Sequence, residues 1–432
     1  MKDTLVLRMA LFAVVYGVLA FLCIGIRDPD TQSTLLWPAG GILLGALMVS
    51  RGKAWPGWVL IAGVLHLSAG IWTGRALPVS LIYTLVDLVV MVGVAAVWRR
   101  RVQPHYNLQS PANLAWFLGL LLAGAVAGTI LNTLGLGLVS AGTQTRGYAW
   151  FVADLIGNLV GAPLVIAWST FRARRSGGSS QSNFYFGLTW FVLLAASAAL
   201  AFDGPTSIAV LGSQSYELSY LPLLFIVLVA LVWDQRGLTL ATLVLALVAA
   251  FNTAQNEGPF ADSMAFFGNG LLEVQGYIGA ACLAGLLMTA IISTRNRALR
   301  DAAVWKLRFE AALQGSQHLV YEYDPASRQF IWAGDTLGLL GLTPSDLTTL
   351  DTFLKHVHPD DRPQVVQGFN ARSSVQTAAS AAELRFRICS ATDQCCCVVD
   401  TGGPLTDLDD QVYRINGLLR LPGNNDVGHT PG

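Results

Sequence analysis

Five polar side chains lie in stretches of sequence that are otherwise apolar enough to cross a membrane. Asp154 and Asn158 stand four residues apart in the segment YAWFVADLIGNLVGAPLVIAW, which covers 148–168. A helix places residues at this spacing on one face. A carboxylate at the centre of a bilayer costs about 2.5–3.5 kcal/mol on insertion scales, so such residues face a bundle interior and are candidates for function. The other three polar residues are His66, Asp87 and Asn132.

Two interpretations of these residues remain open. Asn and His side chains commonly join membrane helices through hydrogen bonds of about 0.6–2 kcal/mol each, a role that suits His66, Asn132 and Asn158. The higher cost of burying Asp87 and Asp154 favours a function for the two carboxylates. A protonated, buried aspartic acid would lower that cost and would remain compatible with a structural role.

The composition predicts the elements that position these residues. Of the 432 residues, 53% are hydrophobic and only 12% are charged, whereas soluble domains carry about 25% charge. Runs of about 20 apolar residues indicate membrane-spanning helices, and the sequence predicts a polytopic all-α bundle of eight to ten spans. The ten candidate spans are 5–26, 34–50, 55–73, 77–98, 112–139, 147–170, 184–202, 218–233, 236–254 and 270–293.

The positive charges predict an orientation for this bundle. With ten spans and a cytoplasmic N-terminus, the cytoplasmic segments carry 14 Lys and Arg residues and the outer segments carry three. Cytoplasmic loops are generally enriched in these residues, so we expect both termini in the cytoplasm. This orientation places His66, Asn132 and Asp154 in the outer half of the membrane and Asp87 near its middle. The net charge is zero, which gives no indication of a nucleic-acid partner.

Two motifs of the apolar region resemble a known family. The segment LLWPAGGILLGALMVSRGKAWPGWVLIAG (35–63) has two Trp-Pro pairs around a glycine-rich span, and 150–168 has the order Trp, Asp, Gly and then Pro-Leu. Together they resemble the membrane-associated sensor of type one, an integral-membrane domain of bacterial histidine kinases, diguanylate cyclases and phosphodiesterases. The resemblance covers about residues 5–295 and implies an inner-membrane location. The matching positions are Trp37, Pro38, Gly40, Trp55, Pro56, Gly57, Asp154, Gly157 and Pro163.

The rest of the chain is polar and resembles a second known domain. After a membrane domain at 1–295, residues 296–316 predict an amphipathic linker helix able to pair with a copy of itself. Residues 317–420 predict two strands, helices and three strands, and with HPDDR at 358–362 this order resembles a PAS domain of the type-three fold. The resemblance implies a small α+β domain with an antiparallel five-stranded sheet. Residues 421–432 are predicted to be a disordered tail.

The histidines and cysteines of this polar region match no metal-site spacing that we recognise. His356 and His358 flank the helix entry, and Cys395, Cys396 and Cys397 alternate between the faces of a strand. The clustered thiols, with Cys389, suit a reducing cytoplasm, so we expect plain strand thiols, with redox sensing as an alternative. We therefore expect no metal and no cofactor.

No catalytic signature is present in the sequence, which lacks a Walker loop, a zinc-binding HExxH and a nucleophile elbow. We expect no enzyme activity. The sequence predicts a homodimeric sensor in the lipid bilayer that detects an unknown signal. A separate kinase, cyclase or response regulator of two-component or cyclic-di-GMP signalling would receive it.

Two alternatives to the sensor remain. The first is a small-solute or proton-coupled transporter with a regulatory PAS tail, in which buried carboxylates relay protons. The second is the truncated input half of a histidine kinase or diguanylate cyclase. The residues that we assign to signal sensing or to bundle structure are Asp154, Asn158, Asp87, His66, Asn132, Trp37, Pro38, Trp55, Pro56 and Pro163.

Overall fold

The protein divides into two compact units, Met1–Asn296 and Arg297–Gly432. The loops that carry Arg27, Arg146 and 172–175, and the predicted tail from residue 423 onward, lie outside the described residues. The computed structural model describes residues 2–25, 34–102, 107–139, 147–169, 181–213, 216–255, 257–261, 270–316, 318–373, 383–390, 394–407 and 411–422.

The regular structure described in the first unit is helical. Proline stands in the first turn of several of these helices, where its missing N–H costs no hydrogen bond. The helices are α1 (Lys2–Gly25), α2 (Pro38–Val49), α3 (Trp55–Trp72), α4 (Leu77–Arg101), α5 (Pro111–Val139), α6 (Gly147–Ser169), α7 (Gln181–Phe202), α8 (Gly204–Leu211), α9 (Leu221–Ala254) and α10 (Gly270–Gly315).

Within the described residues, eight helical segments are long and apolar enough to cross a membrane, which lies in the predicted range. The predicted upper count of ten spans differs from these eight helical segments at two places. The predicted span 34–50 is helical only over α2, whose 12 residues extend about 18 Å, less than a hydrocarbon core of about 30 Å. The predicted spans 218–233 and 236–254 lie in one helical stretch, 218–254.

That long stretch is a helical hairpin, because α9 reverses direction at Asp234. Asp234 has φ 56° and ψ −156°, a conformation that interrupts the helix. Just before α9, the carbonyl of Ser219 accepts a hydrogen bond from the Tyr277 hydroxyl at 2.6 Å. Just after α9, the ring of Phe260 lies 5.5 Å from the ring of Tyr277. A straight helix of 34 residues would separate these two ends by about 50 Å.

The short helix α2 lies inside the bundle, where Pro38 through Met48 are all buried. Glycines let α2 approach α6 backbone to backbone. A Cβ atom on Gly157 would lie 2.3 Å from the carbonyl carbon of Trp37, and one on Gly161 would lie 2.4 Å from the carbonyl oxygen of Pro38. Small residues serve this purpose at helix contacts in membranes generally.

The second unit contains an antiparallel five-stranded sheet with the strand order β2-β1-β5-β4-β3. Short helices between β2 and β3 cover one face, and aromatic side chains fill the interior between sheet and helices. The elements are β1 (His318–Asp324), β2 (Gln329–Ala333), α11 (Thr336–Leu340), α12 (Leu350–His356), α13 (Arg362–Arg372), β3 (Leu384–Cys389), β4 (Cys395–Thr406) and β5 (Val412–Arg420).

Candidate functional site

The first turn of α2 is the centre of a group of buried polar side chains. We call Trp37, His66, Asp87, Asp154 and Asn158 the membrane polar cluster; their exposed fractions range from 1% to 8%. Five predicted residues from α3, α4, α6 and the start of α2 are therefore gathered in one place. The backbone N–H of Trp37 donates to the carbonyl of Ala153 at 3.2 Å, which fixes this end of α2 against α6.

Asp87 is the partnered carboxylate of the cluster. Its Oδ2 accepts a hydrogen bond from Trp37 Nε1 at 3.3 Å. The same oxygen lies 3.3 Å from Nδ1 of His66, a contact that becomes an ion pair when the imidazole is protonated. The rings of Trp37 and His66 are in contact, with centroids 4.6 Å apart.

Asp154 is the unpartnered carboxylate. It is 1% exposed, and no residue that the structure describes donates a hydrogen bond of good geometry to either of its oxygens. It interacts electrostatically with Asp87 and with the side chain of Asn158, one turn along α6. Asn158 points towards α2, since a Cβ atom on Gly40 would lie 3.2 Å from its Oδ1. The predicted shared face of α6 therefore faces the start of α2.

Of the other predicted bundle residues, Trp55 and Pro56 have structural roles, and Asn132 stands apart from the cluster. Near the end of α2, Trp55 Nε1 donates to the carbonyl of Leu47 at 3.0 Å. The centre of the Trp55 ring lies 5.4 Å from the guanidinium of Arg99 on α4. Pro56 lies in the first turn of α3. Asn132 is buried on α5, and neither of its amide atoms forms a hydrogen bond with any described residue. We find no hydrogen bond that joins Asn132 to the cluster within the described part of the chain.

Pro163 lies inside α6 and leaves a carbonyl of that helix without its usual donor. A proline has no N–H to donate to the carbonyl four residues earlier, here that of Leu159. The thiol of Cys282 on α10 donates to this carbonyl at 3.2 Å. Buried backbone groups in a membrane need such replacements. This role of Cys282 has no signal in the sequence, because it depends on the packing of α10 against α6.

Two further buried polar residues near the cluster were not predicted. The Tyr16 hydroxyl on α1 is buried, has no hydrogen-bond partner among the described residues and interacts electrostatically with Asp87. Gln275 on α10 donates through Nε2 to the carbonyl of Leu35 at 2.6 Å, two residues before Trp37. Neither residue has a sequence signal of its own, since a single Tyr or Gln is ordinary in a membrane helix.

The second unit has its own buried ionic network. Arg372 Nη1 donates to Asp400 Oδ2 at 2.6 Å and to the Tyr321 hydroxyl at 2.9 Å, and that hydroxyl donates to Asp400 at 3.0 Å. Burial raises the pKa of Asp400, and the charge and hydrogen bonds of Arg372 partly offset this rise. Gly402 and Gly417 face each other across β4 and β5 beside the Tyr321 ring. A side chain at Gly417 would collide with the ring, and one at Gly402 would collide with the Tyr321 hydroxyl and the Arg372 guanidinium, so the network needs both glycines.

The HPDDR motif has a structural role in this unit. Asp361 accepts hydrogen bonds from the backbone N–H of Arg387 at 2.8 Å and from its guanidinium at 2.9 and 2.8 Å. These bonds hold the pKa of Asp361 below its usual value. The motif thereby fastens the turn before α13 to the edge strand β3. Among the described residues, His356 and His358 belong to no group of three or more His, Cys, Asp or Glu side chains that could hold a metal ion.

The expectation of four free thiols in this unit is wrong for two of them. Cys389 and Cys395 form a disulfide, because the register of β3 and β4 places them directly opposite each other. Cys396 and Cys397 are free. The sequence alone could not set this register, since the segment between the two cysteines has no distinctive turn signal.

Comparisons with known proteins define the class of this protein. The MASE1 family model matches residues 8–296, and the PAS fold model matches residues 329–419. The protein is thus a membrane sensory protein with a PAS domain, and both matched domains are sensory rather than catalytic. Because the first match covers more than half of its length, the chain belongs to the MASE1 family.

Similar proteins include signalling enzymes. The chain is 31% identical over 137 residues, 31% of its length, to the probable diguanylate cyclase DgcE of Escherichia coli, and spans only 12% of that relative. One similar structure is the N-terminal domain of a diguanylate cyclase with PAS/PAC sensor from Marinobacter aquaeolei. It has 16% identity and a TM-score of 0.22 over 24% of this chain and 94% of that one. Another is a sensory box histidine kinase/response regulator from Burkholderia thailandensis, with 18% identity and a TM-score of 0.23 over 28% and 88%.

Proposed function

We propose that this chain is an inner-membrane signal sensor whose membrane polar cluster receives the signal. The observation that supports this most directly is the unpartnered carboxylate of Asp154, buried beside Asp87 at the start of α2. A bundle that needed only stability would gain from an apolar residue at this position, because unpaired polar groups in membranes are costly. A signal can shift the bundle between two states only if it binds them with different affinities. The unpartnered carboxylate of Asp154 is a group whose interactions can differ between the two states.

Contacts of α10 supply a route for the response. Gln275 bonds to the chain just before α2, and Cys282 bonds to α6 at the carbonyl of Leu159, the residue after Asn158. The same helix continues without a break to Gly315, at the start of the PAS region. A change in the spacing of α2 and α6 therefore acts on α10 directly. The PAS domain would then act on a separate kinase, cyclase or response regulator.

The proposal includes a homodimer with both termini in the cytoplasm. The part of α10 beyond the membrane unit exposes large apolar side chains, among them Val304, Trp305, Leu307 and Phe309, which are 43–69% exposed. Exposed apolar residues of this number mark interaction surfaces. A second copy of the same helix is the partner that we propose.

A chimera tests the sensory role. Residues 1–421 would be fused to the N-terminus of the catalytic domain of a diguanylate cyclase, with cyclic-di-GMP measured in cells. We expect Asp154→Asn to change the output at unchanged membrane protein level, whereas Asp203→Asn, at the turn between α7 and α8, leaves it unchanged. If Asp154→Asn only lowered the amount of protein, Asp154 would be a structural residue and the proposal would be wrong.

A cross-linking pull-down tests the proposed output partner. The tagged chain would be cross-linked in its own membranes beside a version that ends at Ala303. We expect a kinase, cyclase or response regulator to be recovered with the full chain and lost with the shortened one. Uptake of a small solute that depends on the pH gradient and disappears in Asp154→Asn, without any change in signalling, would instead favour a transporter.

A further inference from the structure

The membrane polar cluster has an imbalance of charge that defines its ligand. Its ionisable groups are the carboxylates of Asp87 and Asp154 and the imidazole of His66, with the Tyr16 hydroxyl beside Asp87. The His66 imidazole contacts Asp87, so it can serve as a counter-charge to only one of the two carboxylates. The carboxylate of Asp154 then remains without a counter-charge, and an isolated charge in an apolar interior binds a proton or a cation instead.

Within the described residues, the elements packed against α6 supply no cation near Asp154. Neither α2 nor α5 contains an ionisable residue. On α9, Asp234 and Arg236 lie at the hairpin turn, and Arg236 donates to the carbonyl of Ala167, 13 residues beyond Asp154. The helix α10 contributes Gln275, Cys282, the Tyr277 hydroxyl, which donates to Ser219, and, in its first turn, the acidic Glu273. Among the described residues, Asp87 is the ionisable group that interacts with Asp154.

The packing of α2 against α6 is close beside the cluster, and the described residues hold no group of three or more His, Cys, Asp or Glu side chains that could bind a metal ion. The backbones of α2 and α6 are in contact at Gly157 and Gly161, beside Trp37 and Pro38. A metal ion would need several oxygen ligands at fixed distances and usually retains water. A proton needs one carboxylate oxygen and no added volume.

We propose that the membrane polar cluster is a binding site for a single proton, which Asp154 holds next to Asp87, and that a proton is the ligand of the sensor. Release of this proton places a negative charge beside the Asp87 carboxylate. The repulsion acts across the close contact between α2 and α6, which the glycines and Gln275 connect to α10. The inference gives the proposed sensory function its ligand, but its test uses no signalling readout.

Infrared spectroscopy of the full-length protein in lipid nanodiscs tests the site. A protonated carboxylic acid has a C=O stretch that a carboxylate lacks. We expect this band at neutral pH in the wild type, its loss in Asp154→Asn, and its retention in Asp87→Asn. It should also remain in Asp301→Asn, whose aspartate is exposed on α10. Raising the pH should remove the band in the wild type, and replacing choline chloride by sodium chloride at constant pH should not.

Several results would overturn the proton site. Absence of the band from the wild type at neutral pH would do so without any variant, and so would a band that Asp154→Asn leaves intact. Loss of the band on addition of sodium would assign the site to a metal ion. Asp154→Glu, which keeps a carboxyl group, should keep a band, and circular dichroism would show that each variant is folded.

A signalling chimera that responds while the band is absent would overturn only the claim that the ligand is a proton. A band without any effect of Asp154 on the chimera would overturn only the sensory function.

Discussion

At the residue scale, glycine and proline decide how closely the polar groups of the bundle approach one another. Gly157 lets the Trp37 backbone lie against α6, which brings the indole to Asp87 and the Asn158 amide to the first turn of α2. Pro163 leaves the carbonyl of Leu159 without a backbone donor, and the Cys282 thiol donates to that carbonyl instead. The geometry of the cluster therefore depends on residues that carry no polar side chain.

This dependence predicts the effect of one methyl group. In Gly157→Ala the new Cβ meets backbone atoms of Trp37, which cannot rotate away. We expect destabilisation at or above the range of about 1–3 kcal/mol for overpacked sites, seen as a lower melting temperature in detergent. Gly119→Ala on α5 is the matched control, since nothing lies within 4 Å of its Cβ position. Equal melting temperatures for the two variants would contradict the proposed close contact.

The bond between Asp361 and Arg387 predicts a dependence of PAS stability on pH. The pKa of Asp361 is lowered in the folded state by hydrogen bonds from Arg387. Its contribution is therefore present above the unfolded pKa of about 3.9 and is lost as the pH falls through the lower, folded value. We expect Asp361→Asn to lower the urea midpoint of the PAS region at neutral pH and to have little effect near pH 3 or below.

A fluorophore on the exposed Cys397 would report this unfolding in the full-length protein. Asp335→Asn would serve as a control for removing an acidic residue elsewhere in the unit. Asp335 caps α11 by accepting a hydrogen bond from the Gly338 N–H, and it forms no ion pair with a described residue. A midpoint difference between wild type and Asp361→Asn that persisted unchanged into acid would show that the carboxylate charge is not its cause.

At the element scale, interrupted helices shape the bundle. The helix α2 is too short to cross a membrane by itself and starts inside the bundle, where its positive end lies beside the carboxylates. The hairpin of α9 turns at Asp234, whose side chain lies 3.5 Å from the Gln109 amide. Both interruptions occur within stretches whose hydropathy alone resembles that of ordinary spans.

The hairpin predicts the sidedness of α9. Cysteines introduced at Ser219 and Gln255, which flank the two legs, should react with a membrane-impermeant maleimide from the same side of the membrane. A cysteine at Gln109, next to the turn, should react only from the other side. We would measure labelling in intact cells and in inverted vesicles. Labelling of Ser219→Cys and Gln255→Cys from opposite sides would show that α9 crosses as one straight helix.

At the scale of the whole molecule, α10 is the one described helix with residues in both units. Its N-terminal half contacts the segments that hold the membrane polar cluster, and its final turns precede β1 of the PAS domain. Transmission through a single helix needs a partner against which the helix can shift or rotate. The exposed apolar side chains of 299–309 favour a second copy of the chain in this role.

The proposed dimer predicts a face-specific cross-link. Val304, Leu307 and Ala311 follow one another at helical spacing on one stripe, whereas Lys306 and Glu310 form an ion pair on another, 3.9 Å apart. We expect Leu307→Cys to form a disulfide between two copies in oxidised membranes and Lys306→Cys to form much less. Gel electrophoresis without reductant would measure both. Equal, weak cross-linking at the two positions would argue against a dimer through this helix.

Sequence alone determined that the protein crosses the membrane, that a PAS fold follows, and that five particular polar residues lie in stretches apolar enough to cross it. These features depend on local composition and periodicity, since the cost of exposing apolar residues to water acts on each segment separately. Only the tertiary structure decided that Trp37, His66, Asp87, Asp154 and Asn158 meet at the start of α2. It also decided that Pro163 is compensated by Cys282 and that Cys389 faces Cys395. Each of these depends on helix contacts or strand register between distant segments, and no single stretch of sequence specifies them.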